Sequence, residues 1–162
     1  MDATEPASAL VGTQTAAMLT GKTIRTINNW LESGILSGKQ VSAERGPSGL
    51  LWKISLSSLI PFIPVPVNDE EREAMLLADA GDTDARNEVA LHFFTADQYG
   101  IAVPWFEAAA AKGHADAMEW LATCHFKGLG VEKNQAMGLK WLGEAAVRGH
   151  AIAGFKIDSM NL

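Results

Sequence analysis

The side chains best placed for chemistry in this sequence lie between Lys22 and Glu32. On a helix, Lys22, Arg25, Asn28, Asn29 and Glu32 face away from Ile27 and Leu31, with Thr23 and Thr26 beside them. The chemistry they offer is recognition. An arginine guanidinium can bond both major-groove acceptors of guanine, an asparagine amide can pair with adenine, and lysine and threonine can hold phosphates. Lys39, Arg45 and Lys53 follow on a turn-rich hairpin, where they could grip the neighbouring backbone. The candidate DNA contacts are therefore Lys22, Thr23, Arg25, Thr26, Asn28, Asn29, Lys39, Arg45 and Lys53.

Residue types that could make or break bonds are sparse. His92 and His125 have no carboxylate or cysteine cluster at metal spacing, apart from Cys124 beside His125. Cys124 reads as a small core residue. His114 and His150 share one repeat position and read as cap or surface residues. Gly128-Leu129-Gly130 does not follow a strand and lacks the rest of a phosphate loop. No acid–base pair or triad stands out, so the expectation is no enzyme, no cofactor and no metal.

The recognition face needs a scaffold. Thr13 to Leu19 reads as a short helix, Thr20-Gly21-Lys22 as a turn, and Thr23 as the cap of a second helix ending near Gly34. Residues 39–43 and 50–54 read as strands around the loop Glu44-Arg45-Gly46-Pro47-Ser48-Gly49, and Ser55 or Ser57 caps a last short helix. Together with the Ala16-Ala17 pair, Trp30-Leu31-Glu32-Ser33-Gly34-Ile35-Leu36 and Trp52-Lys53-Ile54, this order resembles the excisionase and MerR-type winged helix-turn-helix family over residues 10–62. Lys22 departs from it, standing where the family buries an aliphatic side chain. The resemblance implies DNA binding.

Pro61, Pro64 and Pro66 then impose a stiff, extended joint over 63–68. Beyond it the pattern A-x-x-G-x-x-x-A occurs three times, around Gly81, Gly113 and Gly149. Gly113 and Gly149 are 36 residues apart, as are Trp105 and Trp141. A fixed period of this size marks a helical solenoid, each glycine ending one helix and each alanine allowing close approach. Helices are expected near 69–80, 83–95, 102–112, 115–126, 134–147 and 151–160. The run from Ala117 through Gly128-Leu129-Gly130-Val131 to Ala136, Trp141, Ala145 and Ala146 resembles the Sel-one-like branch of the tetratricopeptide repeats. The first unit departs from it: 20 residues separate Ala85 from Trp105, against 24 from Ala117 to Trp141, and it has no Gly-x-Gly loop. The resemblance implies a protein partner.

The expected fold is thus mainly α: a flexible start (1–9), a small winged helix-turn-helix domain (10–62), the proline joint (63–68), and an α-solenoid of about two and a half helical hairpins (69–162). Net charge is −6, unevenly spread. Residues 13–62 carry +3, whereas 67–162 carry eight basic and fifteen acidic residues. That division suits a DNA-binding module joined to a partner-binding one. No apolar run reaches the roughly 20 residues of a membrane span. One cysteine and an acidic start lacking a signal-peptide pattern suggest the cytoplasm. Ile152, Phe155, Ile157 and Met160 leave an apolar edge on the last helix, predicting a homodimer or a protein partner there. The combined expectation is a DNA-binding regulator. The alternative is a scaffold or adaptor that uses both domains for protein contacts.

Overall fold

The computed structural model describes residues 9–43 and 50–160. Arg45 and the tip of the hairpin, like most of the expected flexible start, lie outside the described residues. The chain divides into two compact units, Met1–Ala80 and Gly81–Leu162.

In the first unit, strand β1 (Leu10–Gly12) leads into helices α1 (Thr13–Thr20) and α2 (Ile24–Glu32). Gly21 turns the chain between them in a left-handed conformation, and the Thr23 side chain caps α2 by accepting from the Thr26 amide. Strands β2 (Gly38–Ser42) and β3 (Leu50–Ser55) form the expected hairpin, and β1 adds to it in the order β1-β3-β2, all antiparallel. The third strand escapes the sequence because three residues are too few to show an alternating pattern. Val11, Ala16, Leu19, Ile27, Leu31, Ile54 and Leu56 are buried.

Helix α3 (Leu56–Leu59) runs into a 3-10 turn, Ile60–Phe62, that carries Pro61. Phe62 lies against Trp30 of α2, with ring centroids 4.6 Å apart. Ile63 and Val65 are buried, so the proline stretch is packed down.

Helix α4 (Asp69–Ala80) starts with a reciprocal capping box. Asn68 Oδ1 accepts from the Glu71 amide at 3.0 Å, and Glu71 Oε2 accepts from the Asn68 amide at 2.7 Å. The sequence places this helix with the solenoid, but it groups with the first unit. Near its end, Asp79 accepts from the Gly12 amide at 2.9 Å and pairs with Lys53 at 3.3 Å. Gly12 and Lys53 are partners in the β1–β3 ladder, so one carboxylate ties α4 to two strands.

The second unit is helical throughout its described length: α5 (Thr83–Thr95), α6 (Tyr99–Ala110), α7 (Ala115–Lys127), α8 (Gln135–Val147) and α9 (Ala151–Ser159). Each helix packs on the next. Gly81, Gly113 and Gly149 all have positive φ at the helix junctions, as the repeated pattern required. Helix α6 begins three residues before its expected start. Pro104 sits in its second turn, where it removes one backbone bond without ending the helix. Phe93, Trp105, Phe106, Leu121 and Leu142 are fully buried.

Trp105 and Trp141 share a repeat position but not an environment, since Trp105 is buried and Trp141 half-buried. Trp105 lies in α6, which has α5 on one side and α7 on the other. Trp141 opens onto solvent, with the Lys140 ammonium 5.7 Å from its ring centre.

Candidate binding surfaces and repeat junctions

The first surface belongs to α2. Lys22, Thr23, Arg25 and Asn29 are exposed, and Thr26 and Asn28 are half-buried. Neither Lys22 nor Arg25 makes an ion pair among the described residues. The structure therefore brings Lys22, Arg25 and Asn29 together on one open side. Thr23 and Thr26 are engaged with each other and with the helix cap, their hydroxyls 3.0 Å apart. Lys39 is exposed on β2, directly opposite Lys53.

Lys53 departs from the expected role. Its ammonium is held by Asp79, a carboxylate only 13% exposed, and is not presented freely for a phosphate. This partner was invisible in sequence because Asp79 stands 26 residues away, on a helix that sequence assigns to the other unit.

The second unit is stitched together by a repeating cap. His114 sits at the N-cap of α7 and His150 at that of α9. Each ring uses both nitrogens. The Nδ1 atoms accept from the amides of Ala117 (3.2 Å) and Ala153 (3.1 Å). The Nε2 atoms therefore carry the ring proton, and they face Asp84 and Asp116 of the preceding repeat, each at 3.2 Å. Asp82 fills the same cap position on α5, accepting from the Ala85 amide at 2.8 Å. The shared position of the two histidines pointed to cap or surface residues, and the structure makes them caps; the cross-repeat carboxylates have no signature short of aligning the repeats.

Replacing His114 or His150 with alanine should cost about 1 kcal/mol each, mostly as a lost N-cap. Replacing His114 with asparagine keeps a cap and removes only the link to Asp84. The Asp84 end of that link is solvent-exposed although the imidazole is mostly buried, so a double-mutant cycle of His114 and Asp84 followed by urea unfolding should give a coupling no larger than about 1 kcal/mol.

Further contacts bind the junctions. Lys156 of α9 pairs with the buried Glu119 of α7, whose carboxylate also accepts from Thr123 at 3.4 Å. Phe94, Phe106 and Trp120 cluster across α5, α6 and α7, with centroids 4.9 to 6.2 Å apart. The Gly128-Leu129-Gly130 turn lies against the start of α6: a side chain on Gly130 would stand 2.4 Å from the Tyr99 carbonyl oxygen. The α5–α6 turn is four residues shorter and puts Asp97 in the left-handed region instead, where its carboxylate accepts from the Tyr99 hydroxyl.

Cys124 is buried in α7, and burial, with the nearby Glu119 charge, pushes its thiol up to about 11. In the unfolded chain the thiol ionises near its ordinary 9.0. Between these values only the unfolded state releases the proton, so stability is intact below pH 9 and falls as pH rises toward 11. Urea midpoints across that range should fall for the wild type, and the part due to this thiol should be absent in Cys124→Ala. At pH 8 the native thiol should resist alkylation.

At the far end, Ile152, Phe155 and Met160 of α9 are exposed and Ile157 is half-buried. Among the described residues no group of histidine, cysteine and carboxylate side chains could hold a metal. Likewise, no helix is long and apolar enough to cross a membrane.

A family profile described as the Sel1 repeat matches residues 96–114 and 115–150. The C-terminal region carries Sel1 repeats. The second match runs from the start of α7 to His150, taking in the hairpin α7–α8 with its Gly-x-Gly turn. The shorter first match begins at the α5–α6 turn, where the Gly-x-Gly turn is missing. A Sel1 repeat protein from Oxalobacter formigenes, known from its crystal structure, is similar to this chain with a TM-score of 0.52 and 24% identity. The likeness covers 57% of this chain and 74% of that one, and it speaks to the fold. No curated protein matches the sequence. The profile match lies wholly outside the first unit.

Proposed function

We propose that this protein is a non-enzymatic scaffold or adaptor whose Sel1 repeats hold a protein partner. The observation that carries this reading is the match of the Sel1 profile to the stacked hairpins over residues 96–150. Stacked hairpins present one continuous, extended surface, suited to lying along another chain. A reducing cytoplasm fits a single buried thiol.

Photo-crosslinking side chains at the exposed positions Glu88 and Lys140 test the proposal in cells. The same protein should be captured from both sites. Its purified form should then bind the intact chain. If neither site yields a specific adduct, the partner-binding reading fails.

A second reading keeps the DNA-binding regulator. It is supported by the open α2 side with Lys22, Arg25 and Asn29, and by the helix pair and hairpin that suggested a winged helix-turn-helix domain. With Lys53 committed to Asp79, few cations remain for phosphates, and such binding would be weak and strongly salt-dependent. Under this reading Arg25→Ala costs about 1–3 kcal/mol on the preferred sequence. Gel shifts at low salt decide: no shift on random duplex DNA removes this reading and leaves the scaffold alone.

A further inference from the structure

Among the described candidate DNA contacts, Lys53 is the cation already held by a carboxylate. Asp79 of α4 pairs with it at 3.3 Å, and the carboxylate is 13% exposed against 38% for the lysine. Asp79 keeps its place without Lys53, because its other oxygen accepts from the Gly12 amide at 2.9 Å. Lys53 still reaches solvent, but a phosphate can take it only by displacing a fixed carboxylate, which would then be left without its counter-charge. Lys39 stands directly opposite Lys53 in the β2–β3 ladder and is exposed. Side chains opposite each other on such a ladder share one face, with Cβ atoms about 5 Å apart. Two ammonium groups so placed form a grip for an anion, and Asp79 already fills half of it.

Helix α4 is acidic beyond this one residue. It sets Asp69, Glu70, Glu71, Glu73 and Asp79 against Arg72 alone. Residues 13–62 carry +3, and extending the count through α4 to Ala80 turns it to −1. The helix belongs to the same compact unit as the strands and is fastened there at both ends. Near its start Arg72 Nη1 donates to the Ser57 hydroxyl at 3.1 Å, and near its end Asp79 holds Gly12 and Lys53.

We propose that α4 is a built-in competitor for DNA, whose Asp79 carboxylate occupies Lys53 and keeps the Lys39–Lys53 pair from gripping a phosphate. This inference rests on the second reading, in which the α2 side and the hairpin bind duplex DNA. The wild-type chain then binds weakly through Lys22, Arg25 and Lys39, with no contribution from Lys53. Opening the Asp79 contact adds one phosphate contact. Each phosphate neutralised on B-DNA steepens the salt dependence of binding by about 0.9 on a log–log scale, so the added contact can be counted.

Fluorescence anisotropy of a labelled random-sequence duplex, titrated with the full chain at about 50 to 200 mM salt, tests this. Asp79→Asn keeps an oxygen for the Gly12 amide and removes the charge that holds Lys53. It should tighten binding by about threefold to tenfold at the lowest salt and steepen the slope by about 0.9. Adding Lys53→Gln should return the slope to that of the wild type. Glu73→Gln, exposed on the same helix, changes net charge equally and should leave the slope unaltered. Lys53→Gln alone should also leave it unaltered, a result that does not depend on how well the Asp79 variant folds. If Lys53→Gln alone flattens the slope by about 0.9, Lys53 already meets a phosphate and the proposal is overturned. An Asp79→Asn slope no steeper than that of Glu73→Gln overturns it too, as does a gain that survives Lys53→Gln. In each of these cases binding by the wild type leaves the DNA reading standing. No binding by the wild type or by any variant ends both.

Discussion

Gly130→Ala is expected to destabilise the repeat unit by roughly 3 kcal/mol or more, a large share of what a unit of this size has. Two costs combine. Gly130 has φ +70, and an L side chain in that region costs roughly 1–2 kcal/mol on its own. The new Cβ would also stand 2.4 Å from the Tyr99 carbonyl oxygen and 2.9 Å from the Gly100 nitrogen. Those are backbone atoms at the start of α6, so no rotamer change relieves the contact. The turn or the helix must move, and either breaks the seating of hairpin α7–α8 on its neighbour. Gly143 and Gly154 provide the control, because they lie within α8 and α9 and a Cβ there meets nothing within 4 Å. Alanine at either should stabilise by about 0.5–1 kcal/mol. Urea unfolding of the three variants checks the contrast. Similar small effects at all three would mean that the Gly130 turn does not touch α6.

The same turn shows why the solenoid was legible in the sequence. Its signals are local and repeated: a left-handed glycine after a helix, alanines where helices touch, and a fixed spacing between tryptophans. Each is confined to one hairpin and recurs in the next, so the helices of residues 83–159 came out close to their observed limits. Contacts between distant residues were not legible. Nothing near Asp79 marks it as the partner of Gly12 and Lys53, and its surroundings match the repeat pattern well enough to assign α4 to the wrong unit. The candidate surfaces divide the same way. Exposure of Arg25 followed from helix periodicity, since a residue off the apolar stripe points outward, whereas that of Phe155 followed from an apolar edge on a last helix with no covering helix in sequence. The engagement of Lys53 did not, because a cation's freedom depends on what folds over it. The histidine caps fall between these cases. Their position repeats, but their carboxylate partners appear only when the repeats are stacked.

Trp105→Ala should cost about 3–5 kcal/mol, whereas Trp141→Ala should cost roughly half as much or less. Sequence periodicity treats the two residues as equivalent, and the difference comes from their surroundings. Trp105 is fully buried in α6, beneath a core that includes Phe93 and Phe106, so truncation opens a cavity that rigid neighbours cannot fill. Trp141 already has part of its ring in solvent, so its loss removes less buried area and leaves a dent rather than a void. A third variant isolates the cause. The Trp105 indole Nε1 is buried without a hydrogen-bond partner among the described residues, so the ring contributes through packing alone. Trp105→Phe removes that orphaned donor and keeps most of the apolar bulk. It should cost no more than about 1.5 kcal/mol, since the smaller cavity is partly offset by relief of the unsatisfied N–H. Thermal and urea unfolding of the three variants gives the order expected: Trp105→Ala far below Trp141→Ala, and Trp105→Phe near wild type. If Trp105→Phe proved as damaging as Trp105→Ala, the indole N–H would hold a bond that matters, and packing would not be the main source of stability at the centre of the repeats.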